Sequence, residues 1–257
     1  MGLFKSALAF MAAGLLFSAS AIAGPIEYTT DEARPAFQAP VNPPGVKDWV
    51  AIRNGTAKKI QLSVNALLRN DNGFECFSAG CSPEGKRGLS IIDVTGKNNV
   101  KNVKLKRNGK IVVVRDDNSQ DRTVITYTVR DRRTGQTSNV DVVMYFGNRV
   151  PKPMRPGHPN AVFVGFQNQP TTLDGDLILN NSHDPDGDPL RLVRVYGGEH
   201  GTVQLVNGDV VYTPDPDFVG VDVFSYTIAD LDSQGRVKSY AHGNHAVQII
   251  RNPASVS

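Results

Sequence analysis

Two motifs recur along this 257-residue chain at a single separation. Asn108-Gly109-Lys110-Ile111-Val112 lines up with Asn207-Gly208-Asp209-Val210-Val211. The same offset of 99 residues carries Tyr127-Thr128-Val129-Arg130-Asp131 onto Tyr226-Thr227-Ile228-Ala229-Asp230. One offset shared by two motifs marks an internal repeat, so the fold has to be one that a block of about a hundred residues can close twice. Short runs in both blocks alternate apolar with polar residues, the period of a strand with one face buried. In the first they are Ile60–Val64, Lys110–Val114, Val124–Val129 and Val140–Phe146. In the second they are Thr202–Val206, Asp209–Thr213, Val223–Ile228 and Ala246–Ile250. Asn-Gly pairs punctuate both series, as hairpin turns require, and no stretch shows a convincing amphipathic helical period. The expected fold class is all-β, two tandem β-sandwiches.

Proline sets the boundaries. It removes a backbone donor and fixes φ, so Pro-rich stretches do not suit a sheet interior. One such stretch, 24–46, reads as an N-terminal extension. The other, 148–160, reads as a linker between a first domain at 47–147 and a second at 161–252. Residues 1–23 have the form of an export signal: Lys5, an apolar run from Ala7 to Phe17, then Ala21-Ile22-Ala23 at the expected cleavage point. That run is short for a bilayer span. The expectation is a Sec-type exported protein of the periplasm, cell surface or extracellular space. In such an oxidising compartment Cys76 and Cys81, the only cysteines, are expected to pair. The loop they close is short, worth about 2 kcal/mol in the chain-entropy account.

The run Ile178-Leu179-Asn180-Asn181-Ser182-His183-Asp184-Pro185-Asp186-Gly187-Asp188-Pro189-Leu190, with Gly201-Thr202-Val203, Val211-Tyr212-Thr213-Pro214 and Phe218–Asp230 after it, resembles the bacterial Ig-like, cadherin-like tandem repeats of surface adhesins. The first block keeps a fainter version in Leu67-Leu68-Arg69-Asn70-Asp71 and Ile125–Asp131. The resemblance implies a cadherin-like sandwich and an adhesive, non-enzymatic role.

Within that run, Asp184-Pro185-Asp186-Gly187-Asp188 is the strongest chemical signal. Alternate residues of an extended segment point the same way, so three carboxylates converge on one hard cation, with Gly187 permitting a sharp turn. Calcium suits such a site because it takes six to eight oxygens in flexible geometry. The expected ligands are Asp184, Asp186 and Asp188, with Asp230 assisting and Asp222 as a further candidate. The resemblance supports calcium here, since repeats of this kind often carry it near this loop. A plain acidic turn closed by Asx hydrogen bonds is the competing reading. In the first block the Asp-rich run is missing, and the cysteine pair stands in its place.

Charge divides sharply. Residues 47–146 hold 18 Lys and Arg against 10 Asp and Glu, whereas 161–251 hold 5 against 12. A net +8 beside a net −7 is hidden in the overall +3. Lys101, Lys104, Lys106, Arg107 and Lys110 form the densest basic cluster. Fields of this size steer partners. The readings are a basic face for another protein or an anionic glycan or polymer at the cell surface, self-association of basic on acidic blocks into a filament, or lysines that guard sheet edges. The export signal argues against an intracellular nucleic-acid role. Neither a Gly-x-Ser-x-Gly motif nor a carboxylate pair in an apolar run points to catalysis, and His242-Gly243-Asn244-His245 reads as a polar loop. An adhesion or matrix-binding module is therefore the leading expectation. A structural subunit of a surface assembly and a glycan-binding accessory are the alternatives. Oxidation of Cys76 and Cys81 is checked by thiol titration of the unreduced, denatured protein, which is expected to find no free thiol.

Overall fold

A computed structural model describes residues 26–29, 45–69, 71, 88–132, 134–155 and 162–251. The signal segment 1–23, most of the Pro-rich stretches, and Cys76 and Cys81 lie outside the described residues.

The first block contains β1 (Ile26–Thr29), β2 (Asp48–Ile52), β3 (Lys59–Ser63), the short helix α1 (Val64–Leu67), β4 (Leu89–Asn98), β5 (Val100–Lys106), β6 (Lys110–Arg115), β7 (Arg122–Asp131) and β8 (Thr137–Phe146). One sheet runs β1-β2-β8-β7-β4 and the facing sheet β3-β6-β5. The second block contains β9 (Val162–Phe166), β10 (Thr171–Leu173), the helix α2 (Gly175–Asn180), β11 (Leu190–Tyr196), β12 (Gly201–Val206), β13 (Asp209–Pro214), β14 (Gly220–Leu231) and β15 (Val237–Ile250). Its sheets run β9-β15-β14-β11 and β10-β13-β12. Apart from β1, the two blocks correspond strand for strand in connectivity. Each opens with a strand that pairs in parallel with the block's last strand, β2 on β8 and β9 on β15, and every other pairing is antiparallel. The chain is all-β, two tandem immunoglobulin-like sandwiches, and the repeat seen in the sequence is a repeat of topology.

Local chemistry explains where the chain changes direction. Asn207 and Gly208 both take positive φ, 53° and 97°, the type I′ geometry whose twist matches its flanking strands. At the crossing from one sheet to the other, the first block uses Asn99 (φ 53°) and the second uses Gly197 and Gly198 (φ 85° and 108°). A short helix that sequence period does not reveal follows β3 in the first block and β10 in the second. α2 is capped by the Asp174 carboxylate, which accepts from the Asp176 amide. β1 is not expected from a Pro-rich stretch. It occupies the sheet edge beside β2, a position that proline-flanked segments tolerate because only one side needs donors.

Alternating residues fill two separate cores. Ile60, Leu62, Ile111, Val113, Ile125, Tyr127, Val142 and Met144 form the first. Ile178, Leu192, Val210, Phe224, Tyr226 and Ile228 form the second. Full burial of such side chains stabilises by about 1.5–3 kcal/mol each. Arg115 is also fully buried. Its guanidinium lies 3.7 Å from the centre of the Phe146 ring and donates to the carbonyls of Gly55, Ala57 and Gln120, so a charged side chain ties two loops to the core.

At the first sandwich's mouth, the Tyr127 hydroxyl lies 3.0 Å from Asp48 and 2.8 Å from Asp71. Both carboxylates are buried, and one hydroxyl donates one hydrogen. Asp71 also accepts from the Val46 amide. Burial pushes the Asp71 carboxyl well above the usual range, against the lowering effect of those two hydrogen bonds. Folded Asp71 thus holds its proton to higher pH than the unfolded chain does. Its contribution to stability is present at low pH and falls as pH rises through the window between the ordinary and the raised value. Asp71→Asn is expected to flatten that fall, measured by urea unfolding at about pH 5 and about pH 8.

Candidate functional site

The Asp-rich loop follows α2 directly. Helix and loop are joined by Asn181 and Ser182, whose side chains bond back to the carbonyls of Leu177 and Ile178. Asp184 then closes an Asx turn: its Oδ1 accepts from the amides of Asp186 at 2.8 Å and Asp188 at 3.1 Å. Gly187, at φ 80°, supplies the left-handed residue that brings the chain round. One oxygen from each of Asp184, Asp186 and Asp188 lies within 4.8 Å of the others, so the three carboxylates do converge. Charge partners reach two of them. Arg149 donates to Asp186 from its backbone amide at 2.6 Å and its Nε at 2.7 Å, and to the Pro185 carbonyl. Lys238 pairs with Asp188. Asp184 is buried, its Oδ2 has no hydrogen-bond partner, and burial pushes its carboxyl up, with Asp186 and Asp188 adding repulsion.

Asp230 sits beside this loop in a different network. It accepts from the Ser239 amide at 2.6 Å, the Ser239 hydroxyl at 2.7 Å and the Asn148 side chain at 3.0 Å. Burial carries its carboxyl up to about 6 despite those bonds, and the nearby Asp184 charge contributes. Asp222 is eight residues away along β14, about 26 Å at strand rise. Its oxygens are taken by the Tyr212 hydroxyl and the amides of Glu199, His200 and Val223, so it braces the crossing loop and does not join the cluster.

Asn148 belongs to a joint between the sandwiches that the sequence does not disclose. Tyr145 at the end of β8 donates to Asp232 at 3.1 Å. Burial opposes ionisation of Asp232, but hydrogen bonds from the Arg236 amide and guanidinium, the Gln234 amide and Tyr145 prevail and hold it at about 2. Trp49 meets Tyr240 edge to face at 4.8 Å, and the Tyr240 amide donates to Thr29 on β1. Lys152 and His183 exchange backbone bonds of 2.7 and 2.8 Å. The described residues of the proline stretch, up to Arg155, are thus stitched onto the acidic loop, and Pro151 and Met154 are buried.

On the first sandwich, Lys104, Lys106 and Lys110 stand on the outer face of β3-β6-β5. The cross-strand ranks are Ser63–Lys110–Lys106, Gln61–Val112–Lys104 and Lys59–Val114–Asn102. None of these positions is acidic. Lys101 lies at the β5 irregularity and Arg107 at the hairpin tip. All these cations are exposed. Lys97, by contrast, is paired with Asp141 at 2.6 Å on the other sheet.

Residues 157–239 match the family described as Bacterial Ig domain, under half of the chain and most of the second sandwich. The resemblance read from Ile178 to Asp230 holds there. No match is found among curated proteins. Among solved structures the chain is similar to an endo-fucoidan hydrolase from glycoside hydrolase family 107 (16% identity, 64% of this chain and 24% of that one, TM-score 0.27). It is also similar to Drosophila N-cadherin EC1-3 (14%, 64% and 55%, TM-score 0.28) and to the I-band fragment I67-I69 from titin (10%, 67% and 57%, TM-score 0.22). The chain spans about a quarter of the hydrolase and under two thirds of the other two. TM-scores this low carry no argument; the fold rests on strand order and the family match.

The joint generates a direct expectation. Asn148→Ala removes a buried donor from Asp230 and is expected to destabilise by about 1–3 kcal/mol. Arg53→Ala breaks only the exposed pair with Glu27 and is expected to cost under about 1 kcal/mol. Urea unfolding of the two variants checks the contrast.

Proposed function

We propose that this chain is an exported, non-enzymatic binding module of the cell surface or envelope, which grips an anionic polymer through the outer face of β3-β6-β5. One observation carries the reading: Lys106 and Lys110 are directly opposite in register, with Lys59 and Lys104 on the same face and no acidic residue among its nine positions. Like charges directly opposite destabilise a sheet. An arrangement that weakens the fold is explained when an anion of repeated charge, such as an acidic polysaccharide, neutralises it. The match of the second sandwich to a bacterial Ig domain supports a module of adhesion type outside the cell. Among the described residues no helix is long and apolar enough to cross a membrane.

Calcium at the acidic loop completes the proposal, and the donor set fits it. Asp184, Asp186 and Asp188 bring three convergent carboxylates, Asp230 stands beside them with its oxygens on Ser239 and Asn148, and Arg149 and Lys238 each answer one of the three. The two left without a cation are Asp184, with its unpartnered buried oxygen, and Asp230. A divalent ion matches that remainder in charge, and an all-oxygen site suits calcium.

Two measurements test this reading. Retention of the purified protein on an immobilised acidic polysaccharide is expected to weaken with salt. The triple change Lys104→Gln, Lys106→Gln and Lys110→Gln is expected to lower affinity at least tenfold while the unfolding midpoint stays at or above that of the wild type, because the change relieves the Lys106–Lys110 repulsion. Equal binding by the variant removes the basic face from the account. Millimolar calcium is expected to raise the thermal midpoint over that in chelator, by linkage, and Asp184→Asn is expected to abolish the rise. Identical midpoints with and without calcium dismiss the ion.

A further inference from the structure

The proline stretch forms one wall of a cleft of about 320 Å³ between the sandwiches. Segments remote in sequence meet there. Glu27 comes from β1, Arg53 directly follows β2, Arg149 to Lys152 belong to the linker, and Pro185 belongs to the acidic loop. The volume lies at the low end of the about 300–1,000 Å³ of small-molecule sites, which favour places where domains meet. It has room for one ring-sized molecule and not for a folded partner.

The charges in this cleft do not balance. Arg53, Arg149 and Lys152 bring three cations. Glu27 answers Arg53 through a single oxygen, Oε1, which lies 3.2 Å from Nε and 2.8 Å from Nη2. Asp186, outside the lining, answers Arg149 at 2.7 Å. Lys152 has no ion pair among the described residues; its backbone, not its ammonium, makes the bonds to His183. Three cations against two carboxylates leave one positive charge. Nη1 of each guanidinium and Oε2 of Glu27 also take no hydrogen bond among the described residues. Val150, Pro151 and Pro185 add apolar surface to the same cleft.

We infer that the cleft binds a hexuronic acid, a sugar ring bearing one carboxylate. Each part of that ligand has a counterpart. The carboxylate supplies the one negative charge that is missing, and its two oxygens suit the planar fork of a guanidinium. Ring hydroxyls donate to the open oxygen of Glu27, which as a carboxylate can only accept. The C–H face of the ring covers proline and valine. A phosphate monoester, at about −1.5 to −2, exceeds the deficit. An apolar molecule would expel water and leave the cations and Glu27 unpaired. An acidic side chain of a peptide brings the charge without the hydroxyls. The site is also preformed. Glu27 holds Arg53, and Asp186 with the Pro185 carbonyl holds Arg149, so these long side chains lose little rotamer freedom on binding. The lysine face belongs to the other sheet of the first sandwich, and the cleft stands whether or not that face holds a polymer.

Titration of the purified protein with galacturonate and with glucuronate at constant ionic strength, followed by NMR shifts, tests the inference. Saturable binding by at least one of them is expected, with Kd about 1 mM or tighter. The thermal midpoint is expected to rise at saturation, because the ligand binds the docked arrangement of both sandwiches. Galactose, the neutral counterpart, is expected to bind at least tenfold more weakly. Lys152→Gln is expected to weaken binding of the acid at least tenfold in a chain that still unfolds at or above the wild-type midpoint, and Lys152→Arg to retain it. The Lys104→Gln, Lys106→Gln and Lys110→Gln triple variant is expected to bind the sugar acids as the wild type does. Failure of both acids to saturate overturns the inference, as does galactose binding equally well or a Lys152→Gln chain that binds normally. N-acetylglutamate binding more tightly than either sugar acid overturns it in favour of an acidic peptide. Loss of binding in the triple variant moves the sugar to the lysine face and overturns the cleft alone.

Discussion

A buried carboxylate has to be given hydrogens, and this molecule buries six aspartates among its described residues: Asp48, Asp71, Asp184, Asp222, Asp230 and Asp232. Each collects donors, most of them from loops, although Asp184 keeps one buried oxygen without a partner. Asp71 draws in the segment before β2 through Val46. Asp222 holds the sheet-crossing loop through Glu199 and His200. Asp230 and Asp232 reach out of their own sandwich to Asn148 and Tyr145. Leaving such a group unpaired costs more than making the bond gains, so the loops have little freedom to move away. In a fold whose two described helices are each under two turns long, the aspartates organise what the strands do not.

The same principle explains why the two sandwiches are not beads on a string. Tyr145 belongs to the last strand of one and Asp232 to the turn after β14 of the other. Separation exposes Asp232 to water, but it also strips the Tyr145 and Trp49 surfaces of their partners. Asp186 adds a second tie through Arg149. A stretch rich in proline is already short of conformational freedom, so docking it loses little entropy.

Much of this was legible in the sequence because it is local or periodic. The offset of 99 residues, the Asn-Gly hairpins and the alternation in Val124–Val129 and Val223–Ile228 can all be read along the chain without knowing what lies across the fold. The convergence of Asp184, Asp186 and Asp188 was legible for the same reason. Their cations were not: Arg149 and Lys238 come from 37 and 50 residues away. The joint was hidden because it pairs Tyr145 with a residue 87 positions on, and no period announces that. β1 was masked by the prolines around it. One signal was present and unused. Val162-Phe163-Val164-Gly165-Phe166 is apolar at every position apart from its glycine, so the run itself shows that the outer face of this strand is apolar too.

The parallel pairing of first and last strands has a mechanical consequence. β9 enters the second sandwich and β15 leaves it, and five consecutive residue pairs, from Val162–Ala246 to Phe166–Ile250, join them side by side in the same direction. A chain under tension pulls the start of β9 one way and the end of β15 the other. The load then runs along the strands and falls on all of their hydrogen bonds together, in shear. An antiparallel pair pulled from its open end would instead lose its bonds singly, in sequence. In a sandwich closed in this way, extension between its two ends has to break those bonds as a group.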